Sequence, residues 1–197
     1  MSERVARIAR TTKETNIDLS VDLDGTGVTD VETGIGFFDH MLTAFGRHGL
    51  FDLHVRCKGD LEVDGHHSVE DTGIVMGQAF AQALGDKRGI RRFGDIAMPM
   101  DEALIMAAVD ISGRGQLYWD ADVPAVMVGA FDATLAKEFF IAFAANAGVT
   151  LHIRQLAGEN THHVIEGMFK AVARAMRQAC EPDPRMGDAL PSTKGML

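Results

Sequence analysis

Residues 66–70 read His-His-Ser-Val-Glu, and residues 162–166 read His-His-Val-Ile-Glu. The same His-His-x-x-Glu pattern therefore occurs twice, and each copy opens a stretch with helical character. A pattern repeated at long range indicates that one structural unit has been duplicated.

The similarity extends upstream of both motifs. Leu-His-Val-Arg at 53–56 aligns with Leu-His-Ile-Arg at 151–154, a shift of 98 residues from 53 to 151. At the same shift His40 falls on Glu138, and residues 19–24 fall on 117–122. We therefore expect two equivalent halves, at about 1–95 and 96–190, followed by a C-terminal tail that ends at residue 197.

Each half groups several strands around two separate helices. In the first half we predict strands over 5–14, 16–24, 50–57 and 60–63, and helices over 36–47 and 66–84. In the second half we predict helices over 132–147 and from Asn160 or Thr161 to about residue 180. Such an order is typical of an α+β fold, in which each half forms a four-stranded, mostly antiparallel sheet with two helices on one face.

Composition narrows the function classes. The 197 residues carry a net charge of -9, which argues against a general nucleic-acid binder because such proteins need a basic surface. The two cysteines, Cys57 and Cys180, cannot build a disulfide framework or a cysteine zinc site. No apolar run is long enough to span a membrane, and the N-terminus lacks the apolar region of a signal peptide, so we expect a cytoplasmic protein.

The two motifs are candidate metal-binding elements. Residues i and i+4 share one face of a helix, so His66 can act with Glu70, and His162 with Glu166. His67 and His163 point about 100° away and cannot easily join the same ion from their own helix. Imidazole and carboxylate ligands suit Mn, Fe, Co, Ni or Zn. A single such pair is usually a solvated ion pair, but its occurrence at equivalent places in a repeat favours a metal site.

His40 and Glu138 occupy equivalent positions in the first helix of each half. On sequence alone, His40 could be a boundary residue beside the apolar stripe that contains Phe37, Phe38 and Met41. The alternative is that His40 and Glu138 are further metal ligands.

Several long segments resemble the imidazoleglycerol-phosphate dehydratase family. They are Gly-Ile-Gly-Phe-Phe-Asp-His-Met at 34–41, both His-His-x-x-Glu regions, residues 151–160 and Pro-Ser-Thr-Lys-Gly at 191–195. The resemblance runs in order along nearly the full chain. It implies a duplicated α+β fold, a 24-subunit particle with active sites between subunits, and two Mn²⁺ ions per site. The implied metal ligands are His40, His66, His67, Glu70, Glu138, His162, His163 and Glu166. Some family members have His in place of Glu138, which makes this ligand the least secure of the eight.

The resemblance also implies a reaction and its participants. The substrate, D-erythro-imidazole-glycerol phosphate, would lose water to give imidazole-acetol phosphate through a dimetal-bound imidazolate and a diazafulvene-like intermediate. Glu14 and His48 are the implied acid–base candidates. Without the resemblance, Glu14 would be an ordinary surface glutamate, and His48 would stabilise the C-terminal end of its helix.

The implied substrate contacts combine metal ligands and phosphate anchors. They are Glu14, His40, His48, His66, His67, Glu70, Arg92, Arg114, Ser192, Thr193 and Lys194. Arg and Lys suit a phosphate group. Otherwise Arg91 and Arg92 would be solvated loop charges, and the tail would be disordered. A tail that orders on binding could act as a lid.

Two other functions fit the metal motifs. The first is a metal-dependent hydrolase that acts on a phosphorylated small molecule. The second is a non-catalytic metal-storage or assembly protein, for which Arg92, Arg114 and Lys194 would have no use. The sequence contains no P-loop, no dinucleotide-binding glycine signature and no Ser or Cys nucleophile motif.

Overall fold

A computed structural model describes residues 4–197, which form two four-stranded sheets, a short hairpin and four helices. The first sheet contains β1 (Val5–Thr11), β2 (Thr15–Asp22), β3 (Thr29–Glu32) and β4 (Asp52–Gly59). The second contains β5 (Phe93–Met100), β6 (Ala103–Asp110), β7 (Gln116–Asp120) and β10 (Thr150–Ala157), and the hairpin is β8 (Met127–Val128) with β9 (Phe131–Asp132). The helices are α1 (Gly36–Gly49), α2 (His66–Leu84), α3 (Leu135–Ala147) and α4 (Thr161–Cys180).

Both sheets have the same topology. The strand orders are β1-β2-β4-β3 and β5-β6-β10-β7. In each sheet the first three strands pair antiparallel, and the last strand joins parallel to its neighbour. The expected duplicated α+β fold with mostly antiparallel sheets is confirmed.

The helices fill the space between the two sheets. Alternate residues of β2 (Ile17, Leu19, Val21) are buried, and their neighbours are more exposed, so one face of the strand lies against the core. Helix α2 packs on β1 and β2, and α4 packs on β5 and β6; α1 lies against α4, and α3 against α2. Helices therefore cover one face of each sheet, as expected. None of the helices within residues 4–197 is long and apolar enough to cross a bilayer.

Aromatic side chains fill the centre of the helical layer. Among them, Phe38, Phe45, Phe80, Phe139, Phe143 and Phe169 are fully buried and pack against one another at ring-centroid distances of 5.0–6.5 Å. Burial of one such ring contributes roughly 1.5–3 kcal/mol, so this cluster holds the two halves together.

One part of the predicted repeat alignment was wrong. Residues 19–24 lie in or just after β2, whose topological equivalent is β6, whereas 117–122 begin in β7, the equivalent of β3. The shift of 98 residues holds only from the first helix to β4, because the β8–β9 segment adds residues between β7 and α3. The inserted hairpin has no counterpart between β3 and α1.

Two predicted elements also needed correction. Residues 60–63 form a turn closed by a hydrogen bond from Val63 N to Asp60 O, and the fourth strand of the first sheet is β3 instead. Helix α3 begins at Leu135 because Asp132 pairs in β9. Both errors arose because short strands are decided by their partners in the sheet rather than by local pattern.

Local capping fixes the start of both motif helices. The Asn160 side chain accepts a hydrogen bond from His162 N at 3.0 Å, and Asp64 Oδ1 accepts one from His66 N at 2.7 Å. The backbone of the first histidine of each motif is therefore fixed at the N-terminus of its helix.

The division into halves at about residue 95 stays a prediction. Strand β5 begins at Phe93, close to that boundary. Residues 1–3 of the predicted first half lie outside the described residues.

The close approach of β5 to α4 provides a test of the packing. A Cβ atom at Gly94 would lie 2.0 Å from the backbone oxygen of Ala175, whereas one at Gly36 would meet no atom within 4 Å. We expect Gly94→Ala to destabilise the fold by about 1–3 kcal/mol, as overpacking against backbone does. Thermal unfolding followed by circular dichroism at fixed protein concentration measures this, with Gly36→Ala as the control. Equal unfolding temperatures for the two variants would contradict this account of the packing.

Candidate metal centre

Three of the predicted metal ligands meet where α1 lies against α4. Glu166 Oε2 lies 3.1 Å from His162 Nε2 and 3.3 Å from His40 Nε2. All three donor atoms lie within 4.8 Å of one another. Donors about 3 Å apart suit one ion with bonds of about 2.1 Å, so two imidazoles and a carboxylate here fit a borderline divalent metal. We call His40, His162 and Glu166 the α1/α4 cluster.

A lysine holds the carboxylate of this cluster. Lys170 Nζ lies 2.6 Å from Glu166 Oε1, which leaves Oε2 facing both imidazoles. Burial alone would raise the pKa of Glu166, but Lys170 and His40 outweigh it and the pKa lies below its ordinary value. The carboxylate is therefore ionised at neutral pH. Sequence reasoning did not single out Lys170, although its i+4 spacing from Glu166 was a usable signal.

An aromatic contact packs against His162. The Phe37 ring lies 5.0 Å from the His162 ring in an edge-on arrangement and 5.4 Å from the ring of Phe131 in β9. Phe131 is fully buried. The inserted hairpin thus packs against the α1/α4 cluster through the contact between Phe131 and Phe37.

The other half offers a looser set of predicted ligands. His66 Nε2 and Glu70 Oε2 on α2 lie 3.6 Å apart. Helices α2 and α3 run side by side in the same direction, since Gly65 lies beside Leu135 and Gly73 lies beside Phe139. Glu138 therefore lies on α3 at the level of His66 and Glu70, and we call these three residues the α2/α3 cluster. Within residues 4–197, the only three-donor set gathered within 4.8 Å is the α1/α4 cluster.

His67 and His163 point away from both clusters, as the helical geometry predicted. His67 Nδ1 lies 3.0 Å from Asp60 Oδ2, and His163 Nδ1 lies 2.7 Å from Glu102 Oε2. A carboxylate on one ring nitrogen leaves the other nitrogen free to ligate, which is how metal-binding histidines are usually oriented. Asp60 and Glu102 were not among the predicted site residues, since nothing local in the sequence pairs them with a histidine.

Glu14, the predicted acid–base residue, lies close to one of these histidines. Its Oε1 atom is 3.9 Å from His67 Nε2. Glu14 lies in the turn between β1 and β2, and Glu102 lies in the equivalent turn between β5 and β6. The two turns therefore place one glutamate beside the second histidine of each motif.

His48 lies in the last turn of α1 within a cationic region. Burial lowers its pKa, and Lys170 and Arg174 lower the pKa further. The ring is therefore neutral at pH 7 and can accept a proton.

The predicted phosphate anchors gather around Asp110. Arg92 Nε lies 2.7 Å from Asp110 Oδ1, and Arg114 Nη2 lies 4.0 Å from Asp110 Oδ2. Arg92 Nη1 also donates to Pro191 O at 2.8 Å, which holds the start of the tail. Ser192, Thr193 and Lys194 follow directly, with Lys194 N donating to Ser192 Oγ. The two arginines and the tail thus form one group, the Asp110 group.

One chain does not bring the Asp110 group to the metal ligands. Arg92 N donates to Ala179 O at the C-terminal end of α4, whereas His162 lies at its N-terminal end. Ala179 follows His162 by 17 positions along α4, which corresponds to about 25 Å of helix. This exceeds the reach of a small phosphorylated substrate, so the predicted contacts fall into two separate places within one chain.

Comparison with known proteins gives the family of this chain. The sequence profile of imidazoleglycerol-phosphate dehydratase matches residues 33–176. The chain belongs to the imidazoleglycerol-phosphate dehydratase family. It is 61% identical over 194 residues to the imidazoleglycerol-phosphate dehydratase of Acidiphilium cryptum, with 98% of this chain and 99% of the relative covered. Identity to the enzyme of Jannaschia sp. is 57%, with coverage of 98% and 100%.

Solved structures of the family share the fold. The Staphylococcus aureus imidazoleglycerol-phosphate dehydratase superposes with a TM-score of 0.82 at 39% identity, covering 91% of this chain and 99% of that one. The Pyrococcus furiosus structure, in complex with (S)-C348, gives a TM-score of 0.82 at 36% identity, with coverage of 96% and 100%. The expected family is confirmed, and so is its enzyme class, a carbon–oxygen lyase that removes water.

The pair of His163 and Glu102 makes a pH-dependent prediction. Hydrogen bonding to His163 lowers the pKa of Glu102 to about 2, and Glu102 raises the pKa of His163. Glu102 and His163 are therefore both charged between a pH of about 2 and the raised pKa of His163. The contribution of this ion pair to the stability of the fold is lost as the pH rises through the pKa of His163.

In Glu102→Gln we expect the pKa of His163 to fall toward its ordinary value, because the charged acceptor is gone. NMR titration of histidine-labelled, metal-free protein, with His163→Gln for assignment, measures this. Glu159→Gln removes a nearby exposed carboxylate and serves as the control. An unchanged His163 titration in Glu102→Gln would mean that the contact is not made in solution.

Proposed function

We propose that the chain dehydrates D-erythro-imidazole-glycerol phosphate to imidazole-acetol phosphate in histidine biosynthesis, using two Mn²⁺ ions. The gathering of His40, His162 and Glu166 carries this proposal, because membership of the family supplies the reaction and the α1/α4 cluster supplies a place for a metal. The Asp110 group supports it further, since the arginines and the tail residues suit the substrate phosphate.

The chemistry that bound Mn²⁺ would supply is Lewis-acid activation of the substrate imidazole, which would make the ring more electron-rich by loss of its N–H proton. The predicted ligands are the α1/α4 cluster, the α2/α3 cluster, His67 and His163. The electron-rich ring would expel hydroxide from the attached carbon through a diazafulvene-like species. Loss of the proton on the next carbon would give an enol, which becomes the ketone.

The chain's own residues would carry the protons. Glu14 lies beside His67. A substrate whose imidazole ring is bound next to His67 would therefore have its hydroxyl-bearing carbons within reach of the Glu14 carboxylate. The neutral His48 ring can accept a proton and is the second candidate. Either group would return a proton to the departing hydroxide, so that water leaves.

The active site would lie between copies of the chain. The α1/α4 cluster and the Asp110 group are about 25 Å apart along α4, so a second copy would bring its Asp110 group to the first copy's metals. The outward-pointing His67 and His163 would likewise serve neighbouring copies. A 24-subunit particle, the two-half domain division and a cytoplasmic location stay predictions.

The first test is turnover by chelator-stripped enzyme with and without added Mn²⁺, reading the ketone product. We expect Mn²⁺ to restore ketone formation. Glu166→Gln should lower the rate of ketone formation by more than about 100-fold. Loss of a residue that only hydrogen-bonds to a metal ligand already lowers metal affinity or activity by about 10- to 100-fold. Glu181→Gln, at the other end of the same helix, is the matched control. Folded, metal-loaded protein that forms no ketone would refute the proposal, and release of free phosphate would favour the hydrolase.

Substitution of Arg92 and substitution of Arg114 should have different effects on KM and on the unfolding temperature. Arg114 is 66% exposed and Arg92 is 16% exposed, and only Arg92 anchors the tail. We expect Arg114→Gln to raise KM roughly 10- to 100-fold without lowering the unfolding temperature, because charged hydrogen bonds are worth about 1.5–3 kcal/mol. Arg92→Gln should raise KM and also lower the unfolding temperature. Arg177→Gln is the control, and an unchanged KM in Arg114→Gln would remove that residue from the site.

A further inference from the structure

The duplication provides an internal comparison between the two clusters. His162 and Glu166 on α4 correspond to His66 and Glu70 on α2, since the same motif opens both helices, at the first residue of α2 and at the second residue of α4. His40 on α1 corresponds to Glu138 on α3. The two clusters therefore have the same backbone framework but different ligand chemistry.

The α1/α4 cluster has two imidazoles and one carboxylate. Its carboxylate is 8% exposed and already faces both rings. Lys170 lies against it, so the ligands and their immediate neighbour have no net charge when the imidazoles are neutral. This position is assembled and imidazole-rich.

The α2/α3 cluster has one imidazole and two carboxylates. The position equivalent to Lys170 is Ile74, so this position supplies no ammonium group to offset the charge. The Glu70 side chain is 46% exposed, and its distance from His66 is the longer one, 3.6 Å. This position is open and carries a formal charge of about -2 when both carboxylates are ionised.

We propose that the two metal positions select different ions: the α1/α4 position prefers borderline ions such as Zn²⁺ or Co²⁺, and the α2/α3 position prefers hard ions such as Mn²⁺. Imidazole favours Zn, Cu, Fe and Ni, whereas carboxylate oxygens favour Mg, Ca and Mn. The single difference between His40 and Glu138 changes the ligand type, and Lys170 against Ile74 changes the local charge in the same direction.

This inference rests on the proposed dimetal centre. Under that proposal each position gains one more imidazole, from His67 or His163 of a neighbouring copy. The addition is the same on both sides, so the contrast between His40 and Glu138 remains. The centre is therefore predicted to hold two different metals when both kinds are available.

A mixed-metal experiment tests this without reference to activity. Chelator-stripped enzyme, reassembled at neutral pH, receives one equivalent of Zn²⁺ per chain and a large excess of Mn²⁺. Metal content is measured by mass spectrometry after gel filtration, and anomalous scattering from crystals at the Zn and Mn edges locates each ion. We expect Zn²⁺ at the α1/α4 position and Mn²⁺ at the α2/α3 position.

Three variants make the test specific. In Glu138→His the two ligand sets match and only the difference between Lys170 and Ile74 remains, so the share of Zn²⁺ at the α2/α3 position should rise to about half or more. In Glu138→Gln, Mn²⁺ at the α2/α3 position should fall by about tenfold or more, because a charged ligand is lost. Glu32→His adds a histidine on the outer face of the first sheet and should change neither position.

The outcomes separate this inference from the proposed function. Equal Zn-to-Mn ratios at the two positions of the unaltered enzyme would overturn the inference and leave the dimetal centre standing. Failure to bind any metal at either position would overturn both. Zn²⁺ that remains at the α1/α4 position in Glu138→His would show that Glu138 does not determine selection, and would also overturn the inference.

Discussion

The packing of helices from opposite halves is the constraint on which the rest of the structure depends. A Cβ atom at Gly73 would lie 2.7 Å from Phe139 O, and one at Gly77 would lie 2.7 Å from Phe143 O. The absence of side chains at these two glycines lets α2 lie directly against α3. The buried phenylalanines then complete a single core between the sheets. Because the helices cross-pair in this way, His40 on α1 meets the motif on α4, and α3, which carries Glu138, lies beside the motif helix α2.

Duplication followed by divergence explains how one framework can hold two unlike positions. The backbone of each half supplies a motif helix, a partner helix and a glutamate in a strand turn. Side chains at equivalent places have then changed, with His40 against Glu138 and Lys170 against Ile74. The β8–β9 hairpin is a further asymmetry, since Phe131 in this hairpin packs on Phe37, which contacts His162 of the α1/α4 cluster.

The length of α4 separates the predicted metal ligands of the α1/α4 cluster from the predicted phosphate contacts within the chain. Its N-terminal end carries His162, and its C-terminal end meets Arg92. A helix of 20 residues is about 30 Å long, so both ends cannot serve one small substrate in the same copy. The proposed active site therefore requires assembly of several copies of the chain. In such an assembly His67 and His163, which point away from both clusters of their own chain, would contribute to the sites of neighbouring copies.

The sequence by itself determined the family, the duplicated α+β class and the helix-based ligand pairs. These depend on local periodicity and on spacing within one helix, which three to four residues are enough to define. Tertiary structure alone decided that β3 rather than residues 60–63 completes the first sheet, because a short strand gains its hydrogen bonds from a distant partner. It alone placed His40 on Glu166, Lys170 behind that carboxylate and Glu102 on His163, since these contacts join side chains whose approach is set by helix packing and strand register. The separation of Arg92 from the predicted metal ligand His162 could not be read from the sequence, because it depends on Arg92 meeting the far end of α4 in the folded chain.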